Sequence, residues 1–111
     1  MNSWVVTLLL FVLALPANVS AESPEQKGYQ AVKELGRLNG IALNCRYFDQ
    51  AKRIKQMLIT SLPKRRELGQ LFEDETDASF KSFIQSGAAC PSPAAFGAEV
   101  DKAGAALARI F

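Results

Sequence analysis

The chain has 111 residues, a formal net charge of +2 and a hydrophobic fraction of 49%, which is typical of one small folded domain. It contains no histidine. The usual Ser-His-Asp triad, Cys-His dyad, c-type haem attachment and histidine-ligated zinc site are therefore excluded, as is a pH switch built on imidazole. We expect a protein that is not an enzyme, with no cofactor and no catalytic or metal site.

The first 21 residues have the pattern of a secretory signal peptide. Residues 4–15 are apolar apart from one threonine, and small residues occupy the -3 and -1 positions of a cleavage site that ends at Ala21. The apolar run is shorter than the roughly 20 residues that span a bilayer. No Lys or Arg precedes it, so an uncleaved N-terminal anchor is the alternative. We predict a periplasmic or secreted protein, cleaved after Ala21, whose residues 22–111 form a single helical domain.

Two cysteines, Cys45 and Cys90, lie in the predicted mature chain. They allow one intramolecular disulfide, which the oxidising compartment favours. Such a bridge closes a loop of about 46 residues and stabilises the fold by about 4 kcal/mol on the chain-entropy estimate. Free thiols or intermolecular bridges are the alternatives. The long spacing does not resemble the Cys-x-x-Cys motif of thiol oxidoreductases.

The first predicted helix starts at Ser23-Pro24, where Ser23 and Gln26 match a capping box. Apolar residues then recur at steps of three and four, and this spacing continues to Leu62. Gly36 and Gly40 lie within the stripe, and each costs about 1 kcal/mol relative to Ala in a helix. They indicate either a turn at Asn39-Gly40 or close packing of another helix, and we favour a continuous or kinked helix. The stripe comprises Tyr29, Val32, Leu35, Leu38, Ala42, Cys45, Phe48, Ala51, Ile54, Met57 or Leu58, and Leu62.

Pro63 interrupts any helix that reaches it, because proline lacks the backbone N–H. A further helix is predicted from that point to Gly87, which suits a left-handed C-terminal cap. After a loop, Ser92-Pro93 starts the last helix with the same capping chemistry as Ser23-Pro24. The last stripe comprises Phe96, Val100, Ala103, Leu107 and Ile110. The predicted fold class is all-α, a small bundle of three or four helices stapled by Cys45–Cys90.

Charge is distributed unevenly along the chain. A basic block is followed directly by an acidic one, and both are interpreted mainly as solvated helix faces. The acidic block is the one candidate for a cation or acid/base site, but it lacks a calcium-binding loop pattern and a cleft, so we predict no metal. The basic block is Arg46, Lys52, Arg53, Lys55, Lys64, Arg65 and Arg66; the acidic block is Glu67, Glu73, Asp74, Glu75 and Asp77.

The leading functional prediction is a non-enzymatic exported protein that docks an envelope protein through a helix face, guided by charge complementarity. The candidate partner-binding residues are Arg53, Lys55, Arg65 and Arg66 for a charged contact, and Phe72 and Phe80 for an apolar contact. Aromatic residues at helical spacing are more often core, which is the alternative interpretation of the two phenylalanines.

Three further possibilities remain open from the sequence. One is a chaperone that exposes apolar stripes in acid, triggered by carboxylate protonation around residues 73–77 below about pH 5. Another is binding to an anionic polymer or lipid surface through the basic block. A homodimer is compatible with an amphipathic helical surface. Nucleic acid is not expected as a partner, because the basic block has no aromatic stacking platform.

Overall fold

A computed structural model of the protein describes residues 23–111. This part of the chain forms helices α1 (Pro24–Asn44), α2 (Phe48–Ser61), α3 (Arg66–Ser86) and α4 (Pro93–Ile110), with no strand among them. The predicted all-α bundle with a Cys45–Cys90 disulfide is confirmed. The predicted signal peptide, residues 1–21, lies outside the described residues.

Several helix ends follow the local chemistry predicted from the sequence. The Ser23 side chain accepts a hydrogen bond from the Gln26 backbone N–H at 3.2 Å, and Ser92 accepts one from the Ala95 N–H at 3.2 Å. Each serine satisfies a backbone donor that the first helical turn leaves free. Gly87 ends α3 with φ 63°, in the left-handed region where glycine carries no steric cost.

The connection between α1 and α2 differs from the prediction. α1 runs without interruption through Gly36 and Gly40, as favoured, but it ends at Asn44, whereas the apolar stripe predicted a helix continuing to Leu62. Arg46 adopts φ 59°, the one positive φ at a non-glycine position among the described residues. The left-handed conformation costs roughly 1–2 kcal/mol for such a residue, so tertiary structure must hold this turn in place.

Four contacts hold the turn at residues 45–47. Cys45 is tied to Cys90 with the Cα atoms 5.8 Å apart. The Tyr47 backbone N–H donates to the Ala42 carbonyl at 2.8 Å. The Tyr47 ring packs on Phe96 with centroids 5.4 Å apart, and its hydroxyl donates to the Pro91 carbonyl at 2.6 Å. The disulfide, the ring packing and the hydroxyl bond together fix the turn against the start of α4.

α1 is the central helix of the bundle. Its backbone approaches α2, α3 and α4 closely, whereas the backbone of α3 approaches α1 alone among the described helices. α1 and α3 run parallel, because their contacts follow the same order along both helices: Lys33 lies beside Glu75, and further along Asn44 lies beside Phe80. The core is made of Ala31, Val32, Leu35, Leu38, Ala42, Ala51, Ile54, Leu58, Leu68, Phe72, Phe96, Val100, Ala103 and Leu107.

The two glycines of α1 allow the close approach of α3. A methyl group on Gly36 would lie 3.0 Å from the Phe72 carbonyl oxygen, and one on Gly40 would lie 2.7 Å from the Thr76 carbonyl oxygen. Both positions face α3 backbone, which cannot move aside as a flexible side chain can. Of the two explanations left open for these glycines, the structure therefore supports close helix packing.

Polar contacts line the same crossing. The buried Asn39 amide donates to the Thr76 hydroxyl at 3.2 Å, and that hydroxyl donates to the Phe72 carbonyl at 2.8 Å. The Ser79 hydroxyl donates to the Arg37 carbonyl at 2.7 Å. The Asn39 Oδ1 atom is buried without a partner in the structure. These bonds tie α3 to α1 along a seam with little space for large side chains.

Candidate protein-binding face

The four basic residues predicted to contact a partner do not form one site. Arg53 lies on the side of α2 that faces α4, where it pairs with Asp101. Arg65 and Arg66 are exposed at the start of α3. Lys55 is exposed on a different side of α2, about 200° around the helix from Arg53. The basic block of the sequence is therefore divided between separate surfaces.

The two predicted apolar contacts also separate. Phe72 is 8% exposed and belongs to the core, so it packs the fold instead of offering a surface. Its backbone also lies close to α1, because Gly36 has no side chain. Phe80 is 37% exposed and lies about 20 Å along α3 from Arg66. Phe80 and Lys55 remain as candidates for a surface, and both belong to the face described next.

One side of α2 carries an exposed stripe at helical spacing: Phe48, Lys52, Lys55 and Ile59. Phe48 is 60% exposed and Ile59 is 82% exposed. The other side of α2 faces α4, since the carbon of a methyl group on Gly104 would lie 2.6 Å from the Met57 sulfur. Lys52, Lys55 and Ile59 thus lie on the side of α2 away from α4 and towards α3, whereas Phe48, at the start of α2, lines a shallow depression together with Pro93 of α4.

A corresponding stripe follows α3. It comprises Gly69, Glu73, Asp77, Phe80 and Ile84, all of which are exposed. Ile84 is 59% exposed, and a methyl group added at Gly69 would have no neighbour within 4 Å. We call the two stripes together the open face. Because the backbones of α2 and α3 do not approach each other closely, no packing between these helices covers it.

Four charges of the open face separate by helix, with Lys52 and Lys55 on α2 and Glu73 and Asp77 on α3; Arg66 lies on the same side of α3, one turn before Gly69. None of these four side chains is in an ion pair among residues 23–111. Their charges are therefore available to a partner. An apolar surface flanked by unpaired charges of both signs is a typical protein-binding surface, because burial supplies affinity and charge supplies orientation.

The opposite side of the α1–α3 pair holds a groove of about 520 Å³, lined in part by Tyr29, Lys33, Glu67 and Leu71. The Tyr29 hydroxyl donates to the Glu25 carboxylate at 3.0 Å, and this hydrogen bond raises the pKa of Tyr29 above its usual value. A neutral phenol bonded to an exposed carboxylate is neither an activated nucleophile nor a poised base at neutral pH.

No cluster of three or more carboxylate or cysteine side chains in residues 23–111 is placed to hold a metal ion. None of the helices in this range is long and apolar enough to cross a membrane. No protein-family model, curated protein or solved structure matches the chain.

Three large apolar members of this face are absent from the predicted contacts: Phe48, Ile59 and Ile84. Phe48 was assigned to the core stripe because its spacing continues that of α1, but the break at residues 45–47 rotates it outwards. Ile84 lies beyond the end of α1, which stops opposite Phe80. The 4-3-4 spacing of residues 48, 52, 55 and 59 was the one signal in the sequence that could have identified the α2 stripe.

Proposed function

We propose that the protein acts by binding: it is an exported, disulfide-stapled helical module that docks a protein partner in the cell envelope through the open face. The observation that carries this proposal is the exposure of Phe48, Ile59 and Ile84 on neighbouring helices, beside charges left unpaired within the bundle. Exposed apolar side chains concentrated on one surface are characteristic of interaction sites.

Export is part of the same proposal. The sequence of residues 1–21 supports it, since the pattern is that of a secretory signal peptide. The Cys45–Cys90 bridge supports it as well, because disulfides persist mainly in oxidising compartments. A mass spectrum of the protein expressed from its full reading frame tests this part: a chain beginning at Glu22 is expected, and an intact chain retaining residue 1 contradicts it.

The docking proposal is tested by capture from the cell envelope with the oxidised protein and two matched variants. Ile59→Asp puts a charge at the most exposed apolar position of the open face, where folding costs little because the side chain is 82% exposed. Ala105→Asp makes the same kind of change on an exposed position of α4. Bound protein is quantified by mass spectrometry after mild cross-linking.

We expect a stoichiometric partner with the wild type and with Ala105→Asp, and at least about a tenfold loss with Ile59→Asp, since a buried unpaired charge costs well over 1.4 kcal/mol. Equal recovery with all three proteins would show that the open face is not the docking surface. The mass of the captured protein distinguishes a second copy of the chain from a different protein.

A second candidate function is an acid-activated chaperone. It is favoured by one observation, the position of Glu73 and Asp77 on the same side of α3 as Phe80 and Ile84. Protonating these carboxylates would remove charge from the apolar surface. Binding of a hydrophobic dye, measured with far-UV circular dichroism from pH 7 to pH 3, distinguishes the two: a chaperone gains dye binding while it stays helical, and a dedicated docking protein does not.

A further inference from the structure

The two stripes of the open face match each other in charge and shape. On α2 the order from the α1–α2 turn is Phe48, Lys52, Lys55, Ile59. On α3, which runs in the opposite direction, the order from the same end of the bundle is Ile84, Phe80, Asp77, Glu73, Gly69. Each stripe therefore begins with an apolar end, continues with two charged residues and finishes at Ile59 on α2 or Gly69 on α3. The two charges are positive on α2 and negative on α3.

Two-fold symmetry allows two ways of placing this face against itself. In the first, the two-fold axis lies in the interface and is perpendicular to the helices. It packs α2 of one copy on α2 of the other, and α3 on α3, so that lysines face lysines and carboxylates face carboxylates. In the second, the axis lies in the interface and is parallel to the helices. It packs α2 of one copy antiparallel along α3 of the other, and each residue keeps its height along the bundle. Like charges in contact are destabilising and opposite charges are favourable, so charge selects the second arrangement.

The second arrangement pairs each position with a suitable neighbour. Lys52 of one copy lies level with Asp77 of the other, and Lys55 lies level with Glu73. Phe48 meets the apolar end of α3 formed by Phe80 and Ile84. Ile59 lies over Gly69, where the absence of a side chain leaves the space around the helix empty.

We infer that the protein is a homodimer in which α2 of each copy packs antiparallel along α3 of the other, so that the open face is covered by a second copy. The inference rests on the proposed function and names the partner of the same face. Each dimer contains two copies of every contact, and the eight charges left unpaired in the separate chains form four intermolecular ion pairs. The charges set the register, and burial of Phe48, Ile59, Phe80 and Ile84 supplies most of the affinity.

Charge reversal on separate chains tests this arrangement directly. One variant carries Lys52→Glu and Lys55→Glu, which makes both stripes acidic; a second carries Glu73→Lys and Asp77→Lys, which makes both basic. Each variant alone is expected to dimerise about 100-fold more weakly than the wild type, because like charges meet at every pair. Mixed together they restore opposite charges at all pairs, so a heterodimer of near wild-type affinity is expected.

Native mass spectrometry with one variant labelled by nitrogen-15 identifies the heterodimer, and sedimentation velocity gives the dissociation constants. The proteins are expressed from the full reading frame and kept oxidised. Lys27→Glu with Lys102→Glu is the matched control, because it makes the same charge change at exposed positions on α1 and α4; it is expected to leave the dissociation constant within about twofold of the wild type.

A wild-type protein that stays monomeric at high concentration would overturn the inference, and so would a mixture that fails to associate. The docking proposal and the homodimer are refuted by different results. A monomer whose open face still captures a different envelope protein retains the docking proposal and excludes the homodimer. A dimer that is unchanged by every substitution on the open face contradicts the proposed homodimer, and capture of envelope proteins that is unchanged as well contradicts the docking proposal.

Discussion

Gly40→Ala tests the close crossing of α1 and α3. The added methyl carbon would lie 2.7 Å from the Thr76 carbonyl oxygen and 2.8 Å from the Phe80 backbone nitrogen, whereas ordinary contact begins near 3.4 Å. The two helices must therefore separate by about 0.7 Å locally, and overpacking of this kind typically costs 1–3 kcal/mol. Replacing Gly by Ala within a helix offsets up to about 1 kcal/mol of this through helix propensity. We expect a net loss of about 1–2 kcal/mol in the free energy of unfolding.

Gly69→Ala is the matched control, because it makes the same replacement in a helix where the added methyl group has no neighbour within 4 Å. Here the propensity gain is unopposed, so the free energy of unfolding should rise by about 0.5–1 kcal/mol. Urea denaturation of the oxidised proteins, followed by circular dichroism at 222 nm and low protein concentration, measures both. Equal stability of the two variants would refute the close crossing as the reason for Gly40.

Reducing the disulfide should lower the free energy of unfolding by about 4 kcal/mol, and an unchanged urea midpoint would contradict a structural role for the bridge. Thr76→Val removes the acceptor of the buried Asn39 amide and should cost about 1–3 kcal/mol, whereas Thr76→Val with Asn39→Leu should recover most of the loss; thermal unfolding distinguishes the two. The Tyr47→Phe substitution removes the second tyrosine of the chain, so that absorbance at 295 nm reports the ionisation of Tyr29 alone. In this background the pKa of Tyr29 should lie above its usual value, and Glu25→Gln should lower it. Since the folded-state pKa is raised, the hydrogen bond stabilises the fold below the ordinary tyrosine pKa, and its contribution is lost as pH rises through the raised value.

Features determined by local chemistry were predictable from the sequence. The two Ser-Pro starts, the proline between α2 and α3 and the left-handed Gly87 each depend on a few adjacent residues. The disulfide was predictable because two cysteines allow one bridge. The uninterrupted path of α1 through Gly36 and Gly40 was also favoured correctly, since the apolar stripe keeps its phase across both glycines.

Features that depend on tertiary contacts were not predictable. The left-handed Arg46 carries no Gly or Asn signal, and the turn is held by Cys90, Pro91 and Phe96 from the other end of the chain. Arg53 lies beside oppositely charged Asp101 only because α2 and α4 run side by side. The open face was missed for the same reason: its two stripes are recognised as one surface only after the helices are placed.

Site-specific photo-crosslinking in living cells tests the central claim most directly. A photoreactive amino acid at position 59 lies on the open face, and the same residue at position 105 of α4 lies outside it. We expect an adduct from position 59, with the mass of a second copy for the homodimer, and none from position 105. If position 59 yields no adduct, or if position 105 yields the same one, the open face is not where this protein binds its partner.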